Sequence, residues 1–402
     1  MVEIAGITEG KEMFKKIIKR INFAKRIRKL LHLNVNFKLS KSKHERMLKC
    51  KNIHFMHSDK FANPTIAFIN KHFPTKDHFF LIIRKDGYYE YTRQEFPKGD
   101  NIAEFVFDSL GPKEYIGKKL IFHSFYVNGS VNWLYKNQYL LKNSYWMVWG
   151  GDFYKAPIDE ANTFVRQNIY GIGSYYEIDL IKQKYGSNHV FFDTNMAIAP
   201  TNHNNGKILS ELRTMQTKKD VIVIQVNHSA DTSTLEMFDV LAKFKNKNIR
   251  IKTILSYKTS NIKSHSDIQK IIDTGYEIFG DKFSYLDKMI SPIDYTKYLA
   301  DNDILILNIN QQSGVGNAIS SIILGKKVFI RHDVAATQYF LKNKINVFDT
   351  NKIKDMNFHE FCEISLETIA DNIKNAESLI SEERLVSDFS AIFNDACPSL
   401  NT

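Results

Sequence analysis

The residues best suited to holding a phosphate lie between Asn308 and Ile330, in the stretch NINQQSGVGNAISSIILGKKVFI, which follows the apolar run Asp303 to Leu307. The pattern is a buried strand, a polar turn, a helix, then Gly325 and a second strand from Val328 to Ile330. Gly314 and Gly316 admit positive φ and close backbone approach. Asn317 is placed to cap the helix, whose free N–H groups and dipole favour an anion. A lone GxG before a helix is also an ordinary turn, so its surroundings must decide. Lying far from the N-terminus, the turn belongs to a second Rossmann-like half.

Those surroundings are α/β throughout. Asn52 to His57, His78 to Arg84, Lys119 to Phe125, Tyr145 to Trp149 and His189 to Asp193 read as buried strands, with helical patterns between several of them. A polar segment, Pro200 to Asn205, followed by Gly206, reads as a linker. Beyond it come strands at Val221 to Val226, Arg250 to Leu255, Ile304 to Ile309 and Val328 to Ile330, separated by helices such as Thr234 to Phe244 and Ser266 to Asp273. The expected domains are a basic arm (1–51), a first Rossmann-like half (52–205) and a second Rossmann-like half with terminal helices (206–402).

Ligands of doubly wound sheets bind beyond the carboxyl ends of the strands, and the polar residues gather there. In the first half these are His57-Ser58-Asp59, Lys85-Asp86, His123-Ser124 and Gly150-Gly151-Asp152; in the second, Asn227-His228-Ser229, Ser256-Tyr257, Gln311 to Asn317 and Arg331-His332-Asp333. Two such edges imply a cleft between two Rossmann-like domains, the architecture called GT-B. By the same rule Asp301-Asn302-Asp303 precedes its strand and reads as a connection, not a metal clamp. His54, His57, His72 and His78 lack helical metal spacing, so no metal is expected.

Glycosyl transfer from a nucleotide sugar needs a diphosphate cradle, positive or N–H-rich surroundings for the leaving charge, and a proton acceptor if attack inverts the anomer. The expected donor contacts are Asn227, Ser229, Ser256, Tyr257, Gln312, Ser313, Gly314, Val315, Gly316, Asn317 and Arg331. Arg331 suits a phosphate bidentately and equally suits a structural salt bridge. Asp152 is the favoured base, because a carboxylate at the end of an apolar strand beside two glycines is costly unless bonded or used. His123 and Asp59 are the other catalytic candidates. Asp152 and Asp59 also suit helix caps, and His123 a core position. His57, Ser58, Trp149 and Gly151 are the expected acceptor contacts.

The net charge of +11 over 402 residues is one-sided: residues 1–51 carry 15 Lys/Arg against 4 Asp/Glu, and the rest is neutral. Phe14, Ile17, Ile18, Ile21, Ala24, Ile27 and Leu31 recur at helical spacing opposite Lys15, Lys16, Lys19, Lys25, Arg26 and Lys29. Such a basic amphipathic helix suits an anionic membrane surface; packing on the protein itself and a nucleic-acid arm are the alternatives. No apolar run approaches the roughly 20 residues that span a bilayer. Cys50, Cys362 and Cys397 are too few and too scattered for a disulfide framework, which fits a reducing cytoplasm.

Several segments resemble one family, the 4-acetamidofucose transferases of enterobacterial common antigen synthesis, glycosyltransferase family 56. They are Ile53-His54 with Ser58-Asp59, Phe122-His123, the block Trp146 to Tyr154, Ser229-Ala230-Asp231 with Ser233, Tyr295 to Asp303, Gln312 to Gly316, and Val328 to Arg331. Asn227-His228-Ser229-Ala230 departs from the family's Gly-Asn-Ser-Gly, Ser313 replaces a glutamine, and the basic arm is extra. The resemblance implies a GT-B fold and transfer of a deoxyaminosugar from dTDP to a polyprenyl-diphosphate-linked saccharide at the cytoplasmic face of the inner membrane. A sugar-nucleotide epimerase on the same plan and a nucleic-acid-binding protein are the alternative readings.

Overall fold

Apolar residues placed on both faces of most strands build two parallel sheets that helices cover on either side. The computed structural model describes residues 39–59, 61–83, 97–105, 107, 111–127, 129–194, 199–215, 220–259, 261–311 and 313–396. The apolar stripe from Phe14 to Leu31, Lys85, Asp86, Gln312 and Cys397 lie outside the described residues.

The first sheet contains β1 (Asn52–His57), β2 (His78–Ile83), β3 (Ile102–Glu104), β4 (Lys119–His123), β5 (Ser144–Met147), β6 (Gly171–Gly173) and β7 (Val190–Phe192), in the order β3-β2-β1-β4-β5-β6-β7. The second contains β8 (Ile222–Val226), β9 (Ile249–Ile254), β10 (Phe283–Leu286), β11 (Ile304–Leu307), β12 (Lys327–Ile330) and β13 (Phe348–Asp349), in the order β10-β9-β8-β11-β12-β13. Strand order reverses once in each sheet, beside β1/β4 and β8/β11. Ligand crevices of doubly wound sheets open at such points. The strands missing from the sequence reading are β3, β6, β10 and β13. They are short, glycine-bearing or half-exposed, and carry little apolar periodicity.

Along β1 alternate side chains serve opposite cores. Phe55 packs with Phe79, Phe122 and Trp146 on one face, while Met56 packs with Phe80, Ile121 and Met147 on the other. The second face is closed by the final helix, Glu382–Phe393, whose Leu385, Phe389 and Ile392 are fully buried in the first half's core. Lys119 of β4 is 2% exposed, and its Nζ donates to the carbonyls of Ile392 and Phe393 at 2.7 Å each. A cation there satisfies the helix's last acceptors and complements its dipole. The helix Glu382–Phe393 therefore belongs to the body of the first half, contrary to the simple partition at residue 205. Phe389→Ala is expected to cost about 3–5 kcal/mol through the cavity it leaves, read from the urea midpoint.

Two further expectations are corrected. Pro200 to Asn205 is no loose linker: it forms the first turns of the helix Ala199–Thr214, whose Leu209 is fully buried in the second half's core. The last part of the basic arm is likewise structural. The helix Lys41–Lys49 seats Met47 at 0% exposure in the first core, and the Nζ of Lys43 donates to the Ile102 carbonyl at 2.6 Å. The stretch from Lys41 to Lys49 is thus part of the first half and not of a free arm. Among the described residues no helix is long and apolar enough to cross a membrane.

Candidate functional site

The helix Val315–Ile323 starts just beyond β11 at the switch point of the second sheet. Its N-cap is Gly314 at φ 72°, and no side chain caps it, so its first N–H groups face outward without an intrahelical acceptor. A Cβ at Gly314 would stand 2.8 Å from Nδ1 of His228. The Nε2 of that ring lies 3.1 Å from Ser313 Oγ. Ser229 is fully buried beside it in sequence, with a hydroxyl that has no hydrogen-bond partner among the described residues. Together these groups form a polar, N–H-rich corner of the kind that accepts a phosphate.

Gly316 and Asn317 differ from expectation. Gly314 alone of the two glycines has positive φ; Gly316 is the second residue of the helix. Asn317 lies inside the helix and does not cap it; its side chain bonds the Tyr295 hydroxyl. Asn227, at φ 57° and 0% exposed, knits the two strand ends together: its Oδ1 accepts the N–H of Asn308 at 2.8 Å, and its Nδ2 donates to Thr234 Oγ1 at 2.9 Å. That is a framework role. Arg331 forms a bidentate pair with Asp333, at 2.9 and 2.5 Å, so the salt-bridge alternative is the one observed. Ser256 follows β9 and its N–H is held by the Leu286 carbonyl at 3.1 Å, whereas Tyr257 is 63% exposed.

In the first half Asp152 is 1% exposed and fully engaged. Its Oδ2 accepts the N–H of Phe125 at 2.8 Å and the Trp146 indole N–H at 2.7 Å, and its Oδ1 accepts the N–H of Trp149 at 2.9 Å. Its own carbonyl takes a bond from Arg166 at 3.1 Å. A carboxylate with three inward donors is a brace for the turn, which argues against the base role expected of it. Asp59 is similarly spent, its Oδ1 accepting the N–H groups of Phe61 at 2.8 Å and Ala62 at 3.2 Å ahead of the helix Ala62–His72.

His123 is the remaining catalytic candidate. It ends β4 and is fully buried, and burial pushes its ring down to about 3, so the neutral form prevails. Its Nδ1 has no partner among the described residues. Around it the Nε2–H of His57 donates to the Tyr126 carbonyl, and Ser58 is fully buried. Trp149 is partly exposed, its indole N–H unpartnered among the described residues, with Phe61 edge-on at 5.2 Å. Gly151 lies against Tyr126, whose hydroxyl would be 2.4 Å from an added Cβ. Burial pushes the Tyr126 hydroxyl up to about 12, with lesser contributions from Asp152 and from Tyr257 of the other half. The two carboxyl edges therefore face each other.

Sequence reasoning passed over Tyr126, Glu177 and the pair His54/His78. Glu177 follows β6 with 1% exposure; Ser174 Oγ donates to its Oε2 at 2.5 Å, and Oε1 has no partner among the described residues. Burial, partly offset by the Ser174 bond, raises its carboxyl to about 7 from an ordinary 4.5. The native state keeps this proton where the unfolded chain has lost it. This group's contribution to stability should therefore fall as pH rises from 4.5 to about 7, by on the order of 3 kcal/mol. Glu177→Gln is expected to flatten that part of a stability-against-pH curve measured by urea unfolding.

No protein-family model matches the sequence, and no curated protein does. Solved structures match in fold. The N-terminal domain of Candida albicans trehalose-6-phosphate phosphatase superposes with a TM-score of 0.59 at 10% identity, covering 89% of this chain and 97% of that one. A glycosyltransferase from Rickettsia africae gives 0.58 at 11% identity, covering 86% and 98%. The UDP-forming α,α-trehalose-phosphate synthase of Burkholderia xenovorans gives 0.58 at 8% identity, covering 86% and 99%. The fold is GT-B. Identities this low establish the two-domain architecture and the cleft between its halves, and nothing about substrate.

Proposed function

We propose that this protein is a glycosyltransferase that moves a deoxyaminosugar of the 4-acetamidofucose type from a dTDP-sugar to a polyprenyl-diphosphate-linked saccharide. The observation that carries the donor half of this reading is the uncapped helix terminus at Gly314, placed at the second sheet's switch point beside Ser313 and His228. A similar structure, a trehalose-6-phosphate protein from E. coli, was solved with UDP-2-fluoro glucose bound. The sugar and the lipid-linked acceptor rest on the resemblance of those sequence segments to family 56.

In the proposed step the acceptor oxygen bonds to the anomeric carbon as the bond to the diphosphate breaks, and the acceptor proton goes to a base. The negative charge gathering on the leaving diphosphate is met by the N–H groups after Gly314, by Ser313 and by His228. Arg331 joins them if substrate draws it from Asp333. No metal enters this step. Asp301, Asn302 and Asp303 lie at the opposite edge and are committed there, Asp301 to Lys252 at 3.1 Å, Asn302 to Gln225 at 2.7 Å and Asp303 to the N–H of Val223 at 2.8 Å. His123, rather than Asp152, takes the base role, with His57, Ser58, Trp149 and Gly151 toward the acceptor.

The deciding experiment offers labelled dTDP-sugar with and without a polyprenyl-diphosphate saccharide. Label is expected in the lipid fraction only when the acceptor is present. Conversion of the dTDP-sugar without acceptor would turn the reading to an epimerase. The residues before the helix Lys41–Lys49 are proposed to hold the protein on the inner membrane's cytoplasmic surface. Liposomes containing anionic lipid should sediment the full chain at low salt and release it at high salt, because the lysines' attraction is screened. A chain beginning near residue 39 should stay in solution.

A further inference from the structure

Three histidines from three adjacent strands form one continuous chain inside the first half. Nδ1 of His54 lies 3.0 Å from Nε2 of His123, and Nε2 of His54 lies 3.0 Å from Nδ1 of His78. Strand register sets the direction of the chain. His54 pairs with Ile121, two residues before His123, whereas His78 pairs with Asn52, two residues before His54. The backbone positions of the three thus step diagonally from the carboxyl edge, where ligands bind, toward the amino edge, about four residues or ~13 Å along the strands, and the rings lean together with centroids 5.3 Å apart at each step. His54 and His123 are 0% exposed, and His78 keeps 2%.

A neutral imidazole has one N–H and one bare nitrogen, so each ring in such a chain must donate to one neighbour and accept from the other. All three rings then share one tautomer, either all Nε2–H or all Nδ1–H. Desolvation lowers all three rings from their ordinary 6.5, His78 to about 4 and His123 to about 3. No ring can keep an added proton at neutral pH; a proton that enters at one end must leave at the other.

We propose that His123, His54 and His78 are a proton relay that carries the acceptor's proton from the cleft edge of the first sheet to solvent at its far edge. At rest each ring carries its proton on Nε2, and Nδ1 of His123 is bare. Substrate binding must part the side chains over that nitrogen, which is buried here, so that the acceptor hydroxyl reaches it and gives up its proton. The Nε2 proton of His123 passes to Nδ1 of His54, the Nε2 proton of His54 passes to Nδ1 of His78, and Nε2 of His78 releases its proton to water. One proton crosses and no ring ends charged; the start is restored when water returns a proton to Nε2 of His78, the shifts run back along the chain, and Nδ1 of His123 gives its proton to water in the cleft. His123 is the catalytic residue; His54 and His78 act through it. The catalytic part rests on the glycosyl-transfer reading, whereas the coupling of the tautomers does not.

Long-range 1H–15N spectra of 15N-histidine-labelled full-length protein report which nitrogen of each ring is protonated. At pH 7 the relay requires three neutral rings, all protonated on Nε2. An imidazolium in the chain, mixed tautomers, or a chain protonated throughout on Nδ1 would overturn it. His78→Gln keeps a hydrogen bond to His54 but cannot pass a proton on. It should lower kcat about tenfold or more, leave the donor KM unchanged and change the solvent isotope effect, with the melting temperature retained. Full kcat in that variant would overturn the relay. Absence of transfer by the unaltered protein would instead overturn the glycosyltransferase reading, and the spectra would still decide the tautomer coupling.

Discussion

Asp152→Ala is expected to destabilise the protein by about 3–6 kcal/mol. The substitution strands three buried donors, the N–H groups of Phe125 and Trp149 and the indole N–H of Trp146, at about 1–3 kcal/mol each with incomplete additivity. It also removes the carboxylate near Arg166, whose guanidinium lies 5.1 Å from both the Phe125 and Trp146 rings. Asp152→Asn should fall between the two, since an amide retains one acceptor and turns a donor toward an N–H. The measurement is the urea midpoint at constant slope, with donor binding followed at low temperature. If the alanine protein instead unfolds at the parent's midpoint and has lost turnover, Asp152 is chemical and not structural.

Gly314→Val should weaken dTDP binding at least tenfold while the first half remains intact. Valine at φ 72° is strained by about 1–2 kcal/mol, and its Cβ would meet the His228 ring, so the turn must reshape and re-aim the N–H groups behind it. Gly316→Val, placed within the helix, should act more weakly through steric bulk near the same terminus. Calorimetric titration with dTDP separates them: equal affinity in a folded Gly314 variant would remove the anion cradle from the mechanism.

Much of the fold was legible because buried parallel strands write themselves as apolar runs. Nine such runs were placed within a few residues of their observed ends. The strand-end rule also located both edges of the cleft. Individual roles were less legible. Asp152 in sequence is a carboxylate beside two glycines; only the return of the chain at Phe125 and the fold of Trp146 over it show that its lone pairs are spent. The histidine chain has no linear signature, because its partners are 24 and 69 residues apart and are matched by register alone. Pro200 to Asn205 misled in the other direction: turn-forming residues lie in a helix because tertiary packing outweighs propensity.

The final helix has a consequence for how the protein is made. Chains emerge from the ribosome N-terminus first, and domains usually fold as they appear. Here one face of the first sheet is covered only in part, by the helix Ala62–His72, until Leu385, Phe389 and Ile392 have been synthesised. Nascent first halves should therefore wait with the face that holds Met56, Phe80, Ile121 and Met147 incompletely covered, available to a chaperone and open to premature association. A stop codon shortly before residue 382 should send the product to inclusion bodies even though every residue of both sheets has been translated.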